Sequence, residues 1–599
     1  MTELEDSSFY KENLPGFCDT VTNKVKKCCS TDTVKSFLPV LSWLPKYKTQ
    51  FLLQDFVAGL TVGLTAIPQA IAYGTVAGLP PQYGLYSAFL GCFVYVIFGS
   101  CKDITVGPTA IMALMVQTHI IAGNADYAVL SCFLAGCVIL LMGIFNLGVL
   151  MQFISVPVTT GFTTAAAITI GSGQINSLFG IKSSSNEFVE SWRNFFGHIL
   201  QTSRNDAILG VLTLIALLLL RKVRDIPCRR KSLTKYISLS RNALAVVVGI
   251  ILCYFLSHDE WLPFKVNGKI TSGLPPLKIP PFSTYENDTD VSFGEMISNL
   301  GTSLASIPLI SILESIAVAK AFSKGKIVDA SQEMIALGLC NILGSFVSSM
   351  PTTGSFTRTA INNSSGVKTP LGGIVTGTLV IMALAFLTTT FYYIPKATLA
   401  AIIIAAMIYM VEYDRIAEIW RAKKIDMIPL IVTLLVCLFW SLEYGIVCGI
   451  IVNLSFVMYH SARPKIIITS EKINGNVVGL VVVQKNLCYS SAEFLKAKVM
   501  KFTATNSEQI DFFVIRGEEI NSIDSTVAFN IISLKEDLSV LKCKLICWNW
   551  NIAAAGVICR LQHLERNMFK YAKSLPEVVS QAMEKIISNG DSDATIVPL

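Results

Sequence analysis

Thr105-Val106-Gly107-Pro108-Thr109-Ala110 and Met350-Pro351-Thr352-Thr353-Gly354-Ser355 decide the fold of this chain. Each is a Gly- and Pro-interrupted stretch that leads into a short run, one ending near His119 and the other near Asn362. At a rise of about 1.5 Å per residue, such a run reaches only about halfway across a hydrocarbon core of about 30 Å. Each stretch stands two segments after a long helix of related texture. That helix runs through Thr61 to Ala72 around Pro68 in the first half, and through Leu304 to Ala317 around Pro308 in the second. Short, broken segments at corresponding places in two halves point to a transporter built from inverted repeats. Irregular backbone survives at that depth only where it lines a protein cavity.

The rest of the chain agrees. Of its 599 residues, 52% are hydrophobic and 15% charged, against about a quarter charged in a soluble domain. Apolar runs long enough to span lie at 54–76, 83–99, 126–149, 152–170, 206–220, 242–256, 296–321, 330–347, 371–389, 397–411, 427–439 and 444–459. With the two short pieces they make an α-helical membrane domain of fourteen segments over residues 51–460. The net charge of +7 is topological rather than a sign of nucleic-acid binding. Basic residues crowd the linker from Arg221 to Arg241, which the positive-inside rule places in the cytosol. The linker from His258 to Val291 is acidic and carries the sequon Asn287-Asp288-Thr289, so it is expected outside, with Asn287 glycosylated. Residues 1–50 form a cytosolic N-terminal segment with no leader-peptide core. The sixteen cysteines are scattered and the five histidines lack zinc spacing, so no metal site is expected. No catalytic triad or nucleotide loop is present; neither an enzyme nor a cofactor is expected.

From Ser461 the texture changes. Lys465–Thr469 and Val477–Val483 read as strands around the hairpin signal Asn474-Gly475. Ser490-Ser491-Ala492-Glu493 reads as a capping box. Asp511–Ile515 and Lys544–Asn549 read as strands, with helices between and after them. This pattern predicts a small cytosolic α/β domain over 461–590 with a partly parallel sheet, followed by a tail at 591–599. An even number of spans returns the chain to the cytosol.

Four stretches are familiar: Ile67-Pro68-Gln69-Ala70-Ile71-Ala72-Tyr73, Gly78-Leu79-Pro80-Pro81-Gln82-Tyr83-Gly84-Leu85-Tyr86, Ile104 through Ala110, and Gly354-Ser355-Phe356-Thr357-Arg358-Thr359. They resemble the sulfate permease family, which includes the anion exchangers related to prestin and pendrin. The C-terminal domain resembles the family's STAS domain. The resemblance runs from about Leu38 to Ser588, and looks most like the sodium-independent sulfate anion transporter subgroup. It implies seven segments and an inverted seven, with a core domain moving against a gate domain, and a homodimer stabilised by STAS.

The chemistry of the half-helices points to an anion. Each N-terminus offers unpaired N–H groups and about half a positive charge. Thr109 and Ala110 form one side of the bed; Ser355, Phe356 and Thr357 form the other. The resemblance adds Gln69 and Tyr73 from the first helix. Arg358, one turn into the second half-helix, would attract dianions at an insertion cost of roughly 2.5–3.5 kcal/mol. Glu314 lies mid-span, where a bare carboxylate must be protonated or paired. Arg358 is the candidate partner. Protonated, Glu314 would remove a negative charge beside incoming sulfate, the logic of proton coupling.

The expected function is sodium-independent secondary transport of sulfate and related small anions by alternating access. Coupling is to protons or to exchange with chloride, bicarbonate or oxalate. The expected location is the plasma membrane, with the lysosomal membrane as alternative and both termini cytosolic. Rival readings are an anion channel or voltage-driven motor of the same family, against which Glu314 argues. A nucleobase permease of the same architecture is disfavoured by Pro80 through Tyr86 and the STAS domain.

Overall fold

Proline and glycine set the limits of the membrane helices, because proline fits a first helical turn and glycine tolerates an ending. Pro81 opens one helix, Pro157 stands in the first turn of another, and Gly366 closes a third in the left-handed conformation. The computed structural model describes residues 37–118, 124–152, 154–181, 187–222, 238, 240–256, 264–266, 273–286, 289–323, 328–388, 390–484, 486–506, 508–561 and 568–590. Asn287 and the tail at 591–599 lie outside them.

The first repeat comprises α1 (Thr49–Val76), α2 (Pro81–Phe98), strand β1 (Val106–Gly107), α3 (Ala110–Gln117), α4 (Ala125–Ile144), α5 (Val156–Gly173), α6 (Arg204–Lys222) and α7 (Arg241–Leu256). The second comprises α8 (Ser303–Phe322), α9 (Ala330–Ser345), strand β2 (Thr353–Gly354), α10 (Phe356–Ser365), α11 (Gly372–Met382), α12 (Lys396–Ile408), α13 (Met427–Phe439) and α14 (Leu442–Ala462). The run expected at 296–321 breaks at Gly301 into an amphipathic helix, Phe293–Leu300, and α8. Among the described residues, six helical stretches are long and apolar enough to cross a membrane alone.

The packing repeats with the sequence. Helix α4 lies against α9, as α11 lies against α2; α1 lies against α11, as α8 lies against α4. Helix α5 lies against α13, as α12 lies against α6. Exchanging each segment for the one seven places on maps every pair onto its counterpart, which is what two inverted copies require. The first two relations belong to a core of α1–α4 and α8–α11. The third belongs to a gate of α5–α7 and α12–α14. Large apolar side chains such as Leu212, Phe255 and Phe386 are exposed and suit lipid contact.

In the core, small residues let backbones touch. A Cβ built on Gly84 would stand 1.9 Å from the Ala70 carbonyl oxygen, so α2 seats on α1 through that glycine. Inside α1, Thr61, Thr65 and Thr75 donate their hydroxyls to carbonyls one turn back, which satisfies those three donors within the helix.

The chain divides into two compact units, up to Ile450 and from Ile451. The second holds a five-stranded sheet: β3 (Ile466–Ile473), β4 (Asn476–Val483), β5 (Phe512–Arg516), β6 (Lys544–Trp548) and β7 (Phe569–Lys570), in that order. The β3–β4 pair is antiparallel and the rest are parallel. Asn474 and Gly475 both have positive φ (52° and 83°), as a two-residue hairpin turn demands. Phe513, Ile515 and Cys547 face one core, while Phe512, Val514 and Ile546 pack with Val578 and Val579 on the other. Burial on both faces is why β5 reads as a continuous apolar run. The helix Tyr489–Thr505 is capped by Cys488 with Ser491, two residues earlier than Ser490 with Glu493 would place it.

Gly84→Val is expected to lower the midpoint of thermal unfolding in detergent, at a cost of about 1–3 kcal/mol or more, as overpacking does. Fluorescence-monitored melting of the purified chain checks it.

Candidate anion-binding site

The two interrupted stretches meet and pair with each other as strands. Val106 pairs with Gly354 and Gly107 with Thr353, antiparallel. The Ser355 N–H donates to the Thr105 carbonyl (3.1 Å), and the Thr105 N–H donates to Thr359 Oγ1 (3.3 Å). Half-helices α3 and α10 therefore start within a few residues of one short ladder and run away from it in opposite senses. Each start is capped in the same way. Thr109 Oγ1 accepts from the Met112 N–H (3.3 Å), and Ser355 Oγ from the Arg358 N–H (3.5 Å). The first N–H groups of both helices, at Ala110 and Phe356, fall just inside the caps.

Arg358 joins the two halves. It is 1% exposed, and its Nη1 donates to the Pro108 carbonyl (2.8 Å), one residue before the cap of the other half-helix. Its Nε and Nη2 have no protein partner. The guanidinium passes over Gly107, where a Cβ would stand 3.1 Å from Nη2, so the glycine leaves room for it. Glu314 approaches the same helix start from α8: Thr109 Oγ1 donates to its Oε2 (3.2 Å). Arg358 and Glu314 thus flank neighbouring residues, Pro108 and Thr109, without forming an ion pair with each other. The ion pair expected between Glu314 and Arg358 is not formed: the carboxylate meets the capping hydroxyl of Thr109, and Arg358 Nη1 meets the Pro108 carbonyl.

A cavity of about 440 Å³ reaches this region and is lined by Gln69, Phe356, Thr357, Ala360 and Ile361 at its inner end. Gln69, which lines this cavity, is 1% exposed, and its Oε1 is buried without a hydrogen-bond partner. Ser355 touches this group through Thr357, hydroxyl to hydroxyl (3.2 Å). The candidate residues therefore fall into two adjoining sets. Gln69, Phe356 and Thr357 line the cavity, with Ser355 behind Thr357, whereas Thr109, Arg358 and Glu314 form a buried cluster beside the ladder. Ala110 and Tyr73 are buried and do not line the cavity; Tyr73 lies within Coulombic reach of both Arg358 and Glu314.

Sequence reasoning missed the groups that hold the ladder. Asn341, from α9, accepts the Thr352 N–H (2.7 Å) and donates to the Thr352 carbonyl (3.0 Å). Ser311 donates to that same carbonyl (3.1 Å) and accepts from the Thr353 hydroxyl through its own carbonyl (2.7 Å). Ser87 accepts from the Met350 N–H (2.9 Å). The signal was a buried amide in an otherwise apolar helix, Leu337 through Leu343. Two further buried carboxylates have plain structural work. Asp55 accepts from the N–H groups of Lys368 and Thr369 ahead of α11, and Glu333 accepts from Tyr95 and Ser100.

An inverted-repeat membrane transporter with two facing half-helices is the class that this geometry defines. The chain belongs to the sulfate permease family, whose model matches residues 52–433. It is 43% identical to the bovine sodium-independent sulfate anion transporter over 523 residues, covering 85% of this chain and 86% of that one. It is 32% identical to the chloroplastic sulfate transporter 4.1 of Arabidopsis thaliana, over 84% of this chain and 74% of that one. Among solved structures, SLC26A9 superposes with a TM-score of 0.80 at 19% identity, over 95% of each chain. The transmembrane domain of the cyanobacterial bicarbonate transporter BicA gives 0.53 at 18% identity, over 68% of this chain and 98% of that one. At those identities the likeness is one of fold.

Asn341→Ala leaves the Thr352 N–H without its acceptor, at an expected cost of about 1–3 kcal/mol for a buried donor. Thermal unfolding should fall accordingly, and sulfate affinity measured on the surviving folded fraction should fall with it.

Proposed function

We propose that the chain carries sulfate and related small anions across a membrane by alternating access, with the anion held where the cavity meets the start of α10. The observation that carries this reading is the two-rung ladder that sets both half-helix starts around one spot, with a cavity reaching Phe356 and Thr357. Backbone N–H groups and hydroxyls replace hydration there without a fixed cation in contact, so that the anion is released again. Arg358, one turn deeper and tied to Pro108, supplies a positive potential rather than a direct grip. The likeness to named sulfate transporters supports sulfate as the substrate; chloride, bicarbonate and oxalate are the exchange partners we assign.

Coupling runs through Glu314 in this reading. It shares Thr109 with the first half-helix cap and forms no ion pair with any cation of a described residue. A proton on Glu314 removes a negative charge from the neighbourhood of the incoming dianion, so loading is favoured as the pH on the loading side falls. The helical domain over 51–460 is the transporter. The domain over 461–590 is a cytosolic STAS domain that joins two copies. The plasma membrane is the assigned location, with both termini in the cytosol.

Radiolabelled sulfate uptake into proteoliposomes tests this, with a pH gradient imposed and with or without internal chloride. Uptake that ignores both would reject the carrier reading. Glu314→Gln is expected to abolish the pH dependence while sulfate still binds; a retained pH response would reject the coupling role. Thr357→Ala should weaken sulfate affinity directly, and Ser355→Ala should weaken it by loosening the cap of α10. Normal affinity in the double variant would move the site elsewhere.

A further inference from the structure

The cavity that ends at Phe356 and Thr357 has a second set of walls. Arg221, the next-to-last residue of α6, and Arg241, the first of α7, both line it, together with Ser238, Asn242 and Tyr409. The Arg221 guanidinium lies 3.2 Å from the centroid of the Tyr409 ring, which fixes it in place. Arg241 Nη1 donates to the Ser238 carbonyl (2.8 Å). Ser238 and Asn242 are nearly buried, adding a hydroxyl and an amide to the same wall.

The two arginines differ in how far the fold accounts for them. Arg221 stands in the last turn of α6, where a cation complements the helix dipole. Arg241 stands at the first position of α7, where the helix end is already positive and a cation is unfavourable. It also lies within repulsive range of Arg221. No carboxylate of a described residue pairs with Arg241. The acidic group on the cavity wall, Glu412, is engaged elsewhere: its Oε2 accepts from Arg415 (3.1 Å) and from Thr160 (3.2 Å). An anion on the cavity side of Arg241 offsets the unfavourable charge at the start of α7.

We infer that Arg221, Arg241 and Asn242 form a second anion subsite in the cavity, on the side of the α6–α7 linker, which takes a divalent oxyanion and passes it to the half-helix site. This rests on the reading of the cavity as the anion path. A dianion gains twice the Coulombic attraction of a monovalent ion at the same distance, so the subsite favours sulfate over chloride on that one face. The opposite face has no such pair on this cavity, and its apparent affinity is independent of these residues.

The test is sided sulfate transport by the full chain, in inside-out and right-side-out vesicles of phosphatidylcholine alone. Arg241→Gln and Arg221→Gln should each raise KM for sulfate at the linker-bearing face about tenfold, a change of the size that one lost charge contact gives. KM at the other face should move less than twofold, and Arg241→Lys should keep most of the wild-type value. The preference for sulfate over chloride should fall at the linker-bearing face only. Equal shifts on both faces would make the arginines structural and overturn the subsite. An effect that appears only when anionic lipid is added would assign them to lipid headgroups and overturn it too. Saturable sulfate flux with unchanged sided KM would sink the subsite while leaving the carrier reading intact. Absence of saturable flux in the unmodified chain would sink both.

Discussion

Two residue pairs, Val106 with Gly354 and Gly107 with Thr353, hold the centre of the membrane domain together. A β ladder is an improbable object at that depth, because every unpaired N–H or carbonyl in lipid costs several kcal/mol. It persists because its free edges are covered. Asn341 and Ser311 bond the backbone of Thr352 and Thr353, Ser87 bonds Met350, and Thr359 bonds Thr105. From this clasp the half-helices depart in opposite senses, and the long helices of the core are arranged around it. The clasp and its supports come from core segments alone: α2, α8, α9 and the two interrupted stretches. The core therefore has an internal tie that does not depend on the gate, which suits a body that moves as one piece.

The sequence makes the architecture readable for a simple reason. Pro108, Pro351 and the glycines beside them cannot continue a helix, and the segments after them are too short to span. The polar residues of the candidate site stand out against apolar surroundings, so Gln69, Glu314 and Arg358 are conspicuous. What they do with one another is a matter of reach across the chain, which no local pattern encodes. Arg358 spends its Nη1 on the Pro108 carbonyl, and Glu314 meets Thr109. From composition alone an ion pair between them is the natural guess; instead both groups find partners at the start of α3, on neighbouring residues. Similarly, nothing in a Thr or Ser codon tells whether its hydroxyl faces a cavity or caps a helix. Thr109 and Ser355 both cap, and Thr357 lines the open space.

Shorter features were less legible. The amphipathic helix Phe293–Leu300 blends into the apolar run that follows it, and Phe188–Gly197 lies in a mostly polar stretch between spans where no membrane-length run marks it. Strand β7 has two residues, too few to show an alternation, and owes its existence to the free edge of β6. In the second unit the Asn474-Gly475 turn was legible because positive φ at two successive positions admits few other residues. The cap at Cys488 was not, since a thiol is an unusual occupant of a place that serine, threonine and aspartate fill more often.

The two copies share a backbone plan but not an electrical one. Met112 and Arg358 stand at equivalent places, each three residues after a hydroxyl cap. One is neutral and the other carries a full charge. Glu314 too comes from the second copy, so both groups able to bear charge beside the clasp are contributed by the same half of the chain. The field beside the clasp is therefore not the mirror image above and below it. A duplicated scaffold acquires an electrical polarity by the divergence of single side chains, with no change to its folding pattern.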